Sequence, residues 1–483
     1  MIALAKFPYI PNKYSIWNGI LALGMHEVER MNDMTKDMTT GNPLKLIISF
    51  CIPMMLGNIL QQLYNVVDTV IVERYLGDNA VGAVGSTGSI CFLIIGFATG
   101  ICSGFGILVA KAYGAGNYSV MRKYAVNSMY LCGGVSVLLT VLTLIFTRPI
   151  LVLMNTPDDI IEQAYQFLFI TFAGLTVTIL YNILSCIMRA LGDSRSPLIF
   201  LGISTVLNIF LDITFIKIFK AGVGGAATAT IISQFIASVL CLYYIKKKFD
   251  ILMPSKEELK FEPKMSFELV SIGVPMALQF SITAIGTIII QNEINKLGTN
   301  YVIAVTAAAK IQNIVAGPME CLGVTLATYC GQNKGARKYD RIAVGLKRGV
   351  IISLIYCVFA WAFTNLLGKY IALLFIDSQN TVVIDLAMYY LRIITAFFPF
   401  LGVLFVFRNA LQGLGYSMLP MTAGITELAA RVLAARILVA IIGFTGVCLA
   451  GPSAWFAADV LLIITAIVKL PKLKRELSQP LNC

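Results

Sequence analysis

The sequence predicts an all-α integral membrane protein with twelve transmembrane helices, arranged as two six-helix lobes related by an internal repeat. Three features lead to this prediction: the composition, the length of the apolar runs and the repeat itself. Of the 483 residues, 58% are hydrophobic and only 13% are charged, whereas charged residues make up about 25% of a soluble domain. So few charged groups cannot cover a surface that faces water, and lipid must therefore be the main solvent.

The apolar runs are long enough for helices that cross a bilayer, which takes about 20 residues. They are too long for the strands of a membrane barrel, and lipid tolerates no other spanning structure. In chain order the twelve runs lie at about 44–73, 80–110, 122–147, 160–190, 197–219, 225–245, 266–296, 301–330, 343–369, 382–412, 419–442 and 447–468.

These runs divide the chain into five segments. We expect an N-terminal tail at 1–43, a first lobe at 44–245, a linker at 246–265, a second lobe at 266–469 and a C-terminal tail at 470–483. The N-terminal tail lacks the features of a cleaved signal peptide, and we assign it no function. It contains the only histidine of the sequence, His26, so a histidine cannot relay protons inside the predicted spans.

Basic residues cluster in the gaps after even-numbered runs, in the linker and in the C-terminal tail. The gap after the eighth run and the first turns of the ninth hold Lys334, Arg337, Lys338, Arg341, Lys347 and Arg348. Because cytoplasmic loops carry an excess of Lys and Arg, this placement predicts that both termini and the linker are cytoplasmic. The net charge of +12 therefore reflects topology, and we expect no nucleic-acid partner.

The two lobes repeat each other at an offset of about 222 residues. Four pairs of motifs share this offset: IPMM with VPMA, LGDN with LGTN, GA with GA, and ALGDSRSP with GLGYSMLP, at 52–55 and 274–277, 76–79 and 297–300, 114–115 and 335–336, and 190–197 and 413–420. Six spans per lobe give both lobes the same orientation, with a pathway between them. This architecture favours an alternating-access transporter over a channel, a receptor or a membrane enzyme.

Polar residues recur at helical spacing inside three spans of the first lobe. A charge inside a span costs several kcal/mol unless it is paired or hydrated, so each such residue is a functional candidate. The stripes consist of Gln61, Asn65 and Asp68 in span one, Thr205, Asn208 and Asp212 in span five, and Thr230 and Gln234 in span six. The alternative is that these stripes only face neighbouring helices and stabilise the bundle.

Asp68, Asp212 and Thr230 are expected at a common depth. At 1.5 Å per residue, all three lie roughly 8–13 Å below the outer face. Two carboxylates in apolar surroundings repel each other and lose hydration, so such a pair favours binding a proton. The oxygen ligands also suit Na⁺. We therefore predict a cation site at Asp68 and Asp212.

The charges of the second lobe are mixed and favour structural pairing. Glu427 and Arg431 have the i, i+4 spacing of a pair on one helix. Lys310 needs a partner, for which Glu293 and Glu427 are the candidates. In span one of the first lobe, Pro53 removes a backbone hydrogen bond and kinks the helix that carries Asp68. That kink is either a hinge or static.

Five segments resemble the multidrug and toxic compound extrusion (MATE) family, and the resemblance extends over about 44–470. They are LGNILQQLYNVVDTVIVERYLG, RALGDSRSP, LNIFLDITF, GVGGAATAT and GQNKGARKYDR, at 56–77, 189–197, 207–215, 222–230 and 331–341. The resemblance implies a monomeric efflux antiporter of the cell membrane, in bacteria the inner membrane. Its partners are organic, often cationic, small molecules and H⁺ or Na⁺, and it has no cofactor.

Within that family the pattern is similar to the DinF-like branch. The similarity implies cation-coupling roles for Asp68, Asn208, Asp212 and Thr230, and identifies Pro53 as the kinking proline. A tyrosine usual in span four of that branch is Phe167 here, which leaves the choice between H⁺ and Na⁺ open. We expect the substrate cavity to include Gln61, Tyr64, Asn65, Met319 and Phe397.

Two alternative functions remain. The first is a flippase for lipid-linked precursors from the same superfamily, which would have extra spans and a cationic cavity. The second is a membrane enzyme, for which the sequence offers no HExxH motif, no Ser/His pair and no cluster of metal ligands. The carboxylates of the first lobe favour the antiporter over both.

Overall fold

The computed structural model describes residues 36–154, 156–373, 375–376 and 378–479. Within these ranges the chain forms fourteen α-helices and no β-strand. His26 and most of the predicted N-terminal tail lie outside the described residues.

The helices divide equally between the two halves of the chain. In the first half they are α1 (Pro43–Leu76), α2 (Asp78–Gly114), α3 (Tyr118–Leu153), α4 (Ile161–Ala173), α5 (Leu175–Ala190), α6 (Arg195–Asp212) and α7 (Gly222–Lys248). In the second half they are α8 (Pro263–Leu297), α9 (Thr299–Gly335), α10 (Tyr339–Ala372), α11 (Thr381–Ala396), α12 (Phe398–Gly413), α13 (Met418–Ile442) and α14 (Phe444–Ser478). α6 continues into a π-helical segment, Ile213–Ile218, and a 3₁₀ turn, Asp250–Leu252, lies in the linker.

The described helices account for the twelve predicted spans. Nine of them are long and apolar enough to cross a membrane, when α6 is taken with its π-helical extension. Two bent pairs, α4 with α5 at 48° and α11 with α12 at 49°, give up to two more spans. α13, Met418–Ile442, has the length of a span but carries three charged residues, Glu427, Arg431 and Arg436. Counted as a span, it brings the total to twelve.

The C-terminal tail begins later than the predicted position 470. α14 continues through Pro471 to Ser478. Leu473 is fully buried, and Leu470 and Leu477 pack beside it against the same core. Burial of these leucines explains why the last helix extends beyond its apolar run.

The two halves touch along several helix pairs, chiefly α2 with α8, α2 with α9 and α1 with α9. Glycines permit the close approach: a Cβ on Gly100 would lie 2.6 Å from the Cα of Ala277, and one on Gly335 would lie 1.9 Å from the carbonyl oxygen of Lys111. Gly335 ends α9 at the end of the bundle that carries the linker, which we call the linker side. The halves are therefore closed against each other at the linker side.

A strap of residues 36–41 joins the two halves at the linker side. Gln332 of α9 accepts a hydrogen bond from the backbone N–H of Met38 (3.0 Å) and donates one to the carbonyl oxygen of Ala190 in the first half (2.8 Å). Asn333 and Arg341 each donate to the carbonyl oxygen of Met38 at 3.0 Å. Met38 is fully buried, so the strap forms part of the closed end.

Candidate functional site

A cluster of carboxyl, amide and hydroxyl groups lies inside the first half, between α1, α6 and α7. We call it the acid site, and it consists of Tyr64 and Asp68 on α1, Asn208 and Asp212 on α6, and Thr230 on α7. Asp212 is fully buried and is the last residue of α6 before the π-helical segment. Its carboxyl group interacts directly with that of Asp68. The structure thus brings together all four residues that the sequence suggested for cation coupling.

Hydrogen bonds fix the side chains around the two acids. The hydroxyl groups of Tyr64 and Thr230 lie 2.8 Å apart. The amide of Asn208 fits best with its nitrogen donating to Oδ2 of Asp212 at 2.7 Å and its oxygen accepting from the backbone N–H of Thr230 at 3.1 Å. In the opposite orientation, the amide nitrogen would lie 3.3 Å from Oγ1 of Thr230 and the amide oxygen would face the carboxylate. Asn208 therefore acts as a donor to the acid.

One oxygen of each acid lacks a partner. Oδ1 of Asp68 and Oδ1 of Asp212 are buried and accept no hydrogen bond within the described part of the chain. None of the ion pairs found there includes either aspartate. A buried acceptor without a donor is destabilising by about 1–3 kcal/mol, and more when it is charged. A proton shared by the pair, or a cation bound between them, removes this cost.

Tyr64 belongs to the acid site and not to the substrate cavity expected from the sequence. It precedes Asp68 by four residues, so both side chains face the same side of α1. Tyr64 supplies a hydroxyl group to the site. Phe167 has no hydroxyl group and packs with the apolar residues Ile71 and Ile216. Pro53 lies buried in the same helix, which continues through it.

A cavity of about 690 Å³ lies between the two halves. Both halves line it, with polar side chains that include Asn58, Gln62, Gln279, Asn313, Glu320 and Gln412. This central cavity is separate from the acid site, because α1 turns Asn58 and Gln62 toward the cavity and Tyr64 and Asp68 into the first half.

The structure places the five expected cavity residues elsewhere. Gln61 and Asn65 are exposed on other faces of α1, and Tyr64 lies in the acid site. Met319 is buried in the core of the second half, with its sulfur 3.6 Å from that of Cys357. Phe397 stacks on a neighbouring phenylalanine outside the cavity lining. The helical phase explains this correction, because α9 turns residue 320 toward the cavity and residue 319 away from it.

The charges of the second half form a buried triad. Glu427 accepts from Arg431 at 2.6 Å and from Arg408 at 2.5 Å, and each of the three residues is less than a tenth exposed. The sequence predicted the ion pair of Glu427 with Arg431 but did not predict that Arg408 also binds Glu427. Asp459 of α14 is also buried, and neither of its carboxyl oxygens has a partner in the described structure. A single acid inside a long apolar run was the signal that could have identified it.

The partners expected for Lys310 are occupied by other residues. Glu293 pairs with Lys296 at 2.8 Å, and Glu427 lies in the triad. Lys310 instead lies over the ring of Phe375, with its Nζ 5.0 Å from the centroid. A cation above an aromatic face is favourable without a carboxylate, which corrects the predicted pairing.

The chain is similar in sequence to a family of known proteins. The MatE family model matches residues 53–214 and 275–448, and the two matched segments start at the spacing of the internal repeat. The "Probable multidrug resistance protein YpnP" of Bacillus subtilis is 31% identical over 78% of the chain and 84% of that protein. The "Multidrug export protein MepA" of Staphylococcus aureus is 25% identical, over 83% of the chain and 89% of that protein.

Solved structures share the fold. An outward-facing multidrug resistance MATE family transporter of the MOP superfamily superposes with a TM-score of 0.85 at 23% identity, over 92% of the chain and 100% of that structure. A MOP superfamily transporter from Pyrococcus furiosus gives a TM-score of 0.86 at 23% identity, over 92% and 99%. Both comparisons support the two-lobe arrangement of the helices.

Proposed function

The chain belongs to the MatE family of multi-pass membrane proteins, and on this premise we propose that it is a multidrug efflux antiporter of the cell membrane. It exports organic, mainly cationic, compounds in exchange for H⁺ or Na⁺. The names of YpnP and MepA, a multidrug resistance and a multidrug export protein, support drug export. The assignment of coupling to H⁺ or Na⁺ rests on the acid site.

The observation that carries this proposal is the pair of Asp68 and Asp212, in which each acid has one buried oxygen without a partner in the described residues. One proton or Na⁺ that crosses 100 mV releases about 2.3 kcal/mol, enough for roughly fifty-fold accumulation of a substrate. An antiporter needs a site at which binding of the ion is coupled to a change in conformation. A pair of acids that alternates between a cation-bound and a cation-free state provides one.

Helix α1 supplies the link between ion and substrate. One face of α1 carries Tyr64 and Asp68 in the acid site, and another carries Asn58 and Gln62 in the central cavity. When a cation binds or leaves, the forces on Asp68 change, and α1 must shift against α6 and α7. The same movement alters the cavity wall and the contacts of α1 with α9.

Transport in proteoliposomes with an imposed H⁺ or Na⁺ gradient tests the proposal. Asp68→Asn should abolish gradient-driven transport and leave substrate binding within a few-fold, because the amide resembles a protonated carboxyl group but cannot release a proton. Asp385→Asn is the matched control, since Asp385 is exposed on α11, and it should transport as the wild type does. Normal transport by Asp68→Asn at equal expression would refute the coupling role.

A further inference from the structure

We propose that Glu320 is the anionic contact that selects cationic substrates in the central cavity. This inference rests on the proposed function and assigns its substrate selectivity to one side chain. Glu320 lies on α9, lines the cavity and is exposed to it. Fifteen residues separate it from Gly335, so it lies about 22 Å from the linker-side end of the helix. That position is well inside a hydrocarbon core of about 30 Å.

Glu320 has no partner within the protein. Its carboxyl group forms no hydrogen bond and no ion pair with the rest of the described chain. Charged groups inside a span are rare, and they face a cavity or pair with one another. Every other carboxylate of the cavity wall is already neutralised, because Glu427 is held by Arg408 and Arg431. Glu320 is thus the negative group of the described wall that remains free to bind a ligand.

The surroundings of Glu320 suit an organic cation better than a metal ion. In the described residues no group of three His, Cys, Asp or Glu side chains converges on a possible metal, and a hard divalent cation takes several oxygen ligands. Aromatic side chains that include Phe280, Phe405 and Trp455 share the cavity wall. Aromatic faces attract cations and pack against apolar rings. One carboxylate within an aromatic wall therefore matches a bulky cation with a diffuse charge.

The arginines that line the cavity predict that it distinguishes between ions of opposite charge. The triad of Arg408, Arg431 and Glu427 carries two positive charges for one negative charge and lines the same cavity. Tetraphenylphosphonium and tetraphenylborate have the same shape and opposite charges. Binding of the phosphonium should depend on Glu320, whereas binding of the borate should not.

Equilibrium binding of both ions to the purified protein in nanodiscs tests the assignment. Glu320→Gln should weaken tetraphenylphosphonium binding at least tenfold, which is 1.4 kcal/mol, and leave tetraphenylborate binding unchanged or stronger. Glu320→Asp keeps the charge and should retain most of the phosphonium affinity. Glu293→Gln is the matched control, because it removes an acid of the same half that pairs with Lys296 outside the cavity wall.

The outcomes separate this inference from the proposed function. Wild-type phosphonium affinity in Glu320→Gln overturns the role of Glu320 but leaves gradient-driven efflux by the wild type intact. An equal loss of affinity for both ions in Glu320→Gln also overturns the role of Glu320, since the substitution has then damaged the cavity as a whole and the loss does not depend on charge. If the wild type binds neither ion, both the role of Glu320 and the cationic substrate class of the proposed function fail.

Discussion

Removal of Glu427 should be the most destabilising single change among the charges of the second half. Glu427 compensates two buried guanidinium groups, at 2.5 Å for Arg408 and 2.6 Å for Arg431. Loss of one member of a buried ion pair costs about 3–5 kcal/mol, because the remaining charge stays buried without a partner. Glu427→Gln leaves two such charges near each other, so we expect a loss at the upper end of this range. Arg431→Met keeps the pair of Glu427 with Arg408 and should cost less.

The double variant distinguishes a triad from a simple pair. An isolated pair of Glu427 and Arg431 predicts that Glu427→Gln with Arg431→Gln largely restores stability, because both charges leave together. The triad predicts only partial recovery, since Arg408 remains buried without Glu427, even though Asp459 lies nearby.

Thermal unfolding of the purified variants, followed by tryptophan fluorescence, measures these differences. Trp455 reports on the second half, because it is buried there beside Phe398. Glu293→Gln serves as a control, since its partner Lys296 is largely exposed and such pairs contribute at most about 1 kcal/mol. Full recovery in the double variant, or wild-type stability in Glu427→Gln, would refute the triad.

Two further predictions concern the acid site and the linker. Tyr64→Phe removes one hydrogen bond to Thr230, worth about 1 kcal/mol, and should weaken cation binding about fivefold in isothermal titration; unchanged affinity would remove Tyr64 from the site. Arg122 lowers the pKa of Glu258, so the contact of the linker with α3 persists above that low pKa and is lost only in stronger acid. Proteolysis of the wild-type linker should therefore be equally slow at pH 7 and pH 5, and Glu258→Gln should be cut faster at both.

Four residues of the acid site, Asp68, Asn208, Asp212 and Thr230, were predictable because spacing and depth follow from positions along each helix. Asn208 and Asp212 are one turn apart, and depth along a span follows from 1.5 Å per residue. The cavity wall was not predictable in the same way, because it depends on the rotation of each helix about its own axis. One position separates Glu320, which lines the cavity, from Met319, which is buried in the core. An apolar sequence on all sides gives no signal for that rotation.

The triad shows a second limit of sequence reasoning. Residues four apart on one helix are visible as a pair, as with Glu427 and Arg431. Arg408 lies nineteen positions before Glu427 on a different helix, α12, and only packing brings the two together. The order of the spans followed from the lengths of the apolar runs, and the repeat followed from four pairs of motifs at one offset. Contacts between helices depend on side-chain fit, which the sequence records only indirectly.

Pro53 separates two segments of α1 that make different contacts. Before it in α1, Ile47 and Phe50 are buried in a core shared with Leu326 of α9, at the closed linker side. After it lie the residues of the cavity wall and then Asp68. A rigid α1 would transmit any shift at Asp68 directly to the contact with α9. A bend at Pro53 would instead let the acid-site segment move while the linker-side segment stays packed. On the proposed function, a hinge at Pro53 would therefore confine the effect of cation binding to the cavity, whereas a static kink would pass it on to the linker side.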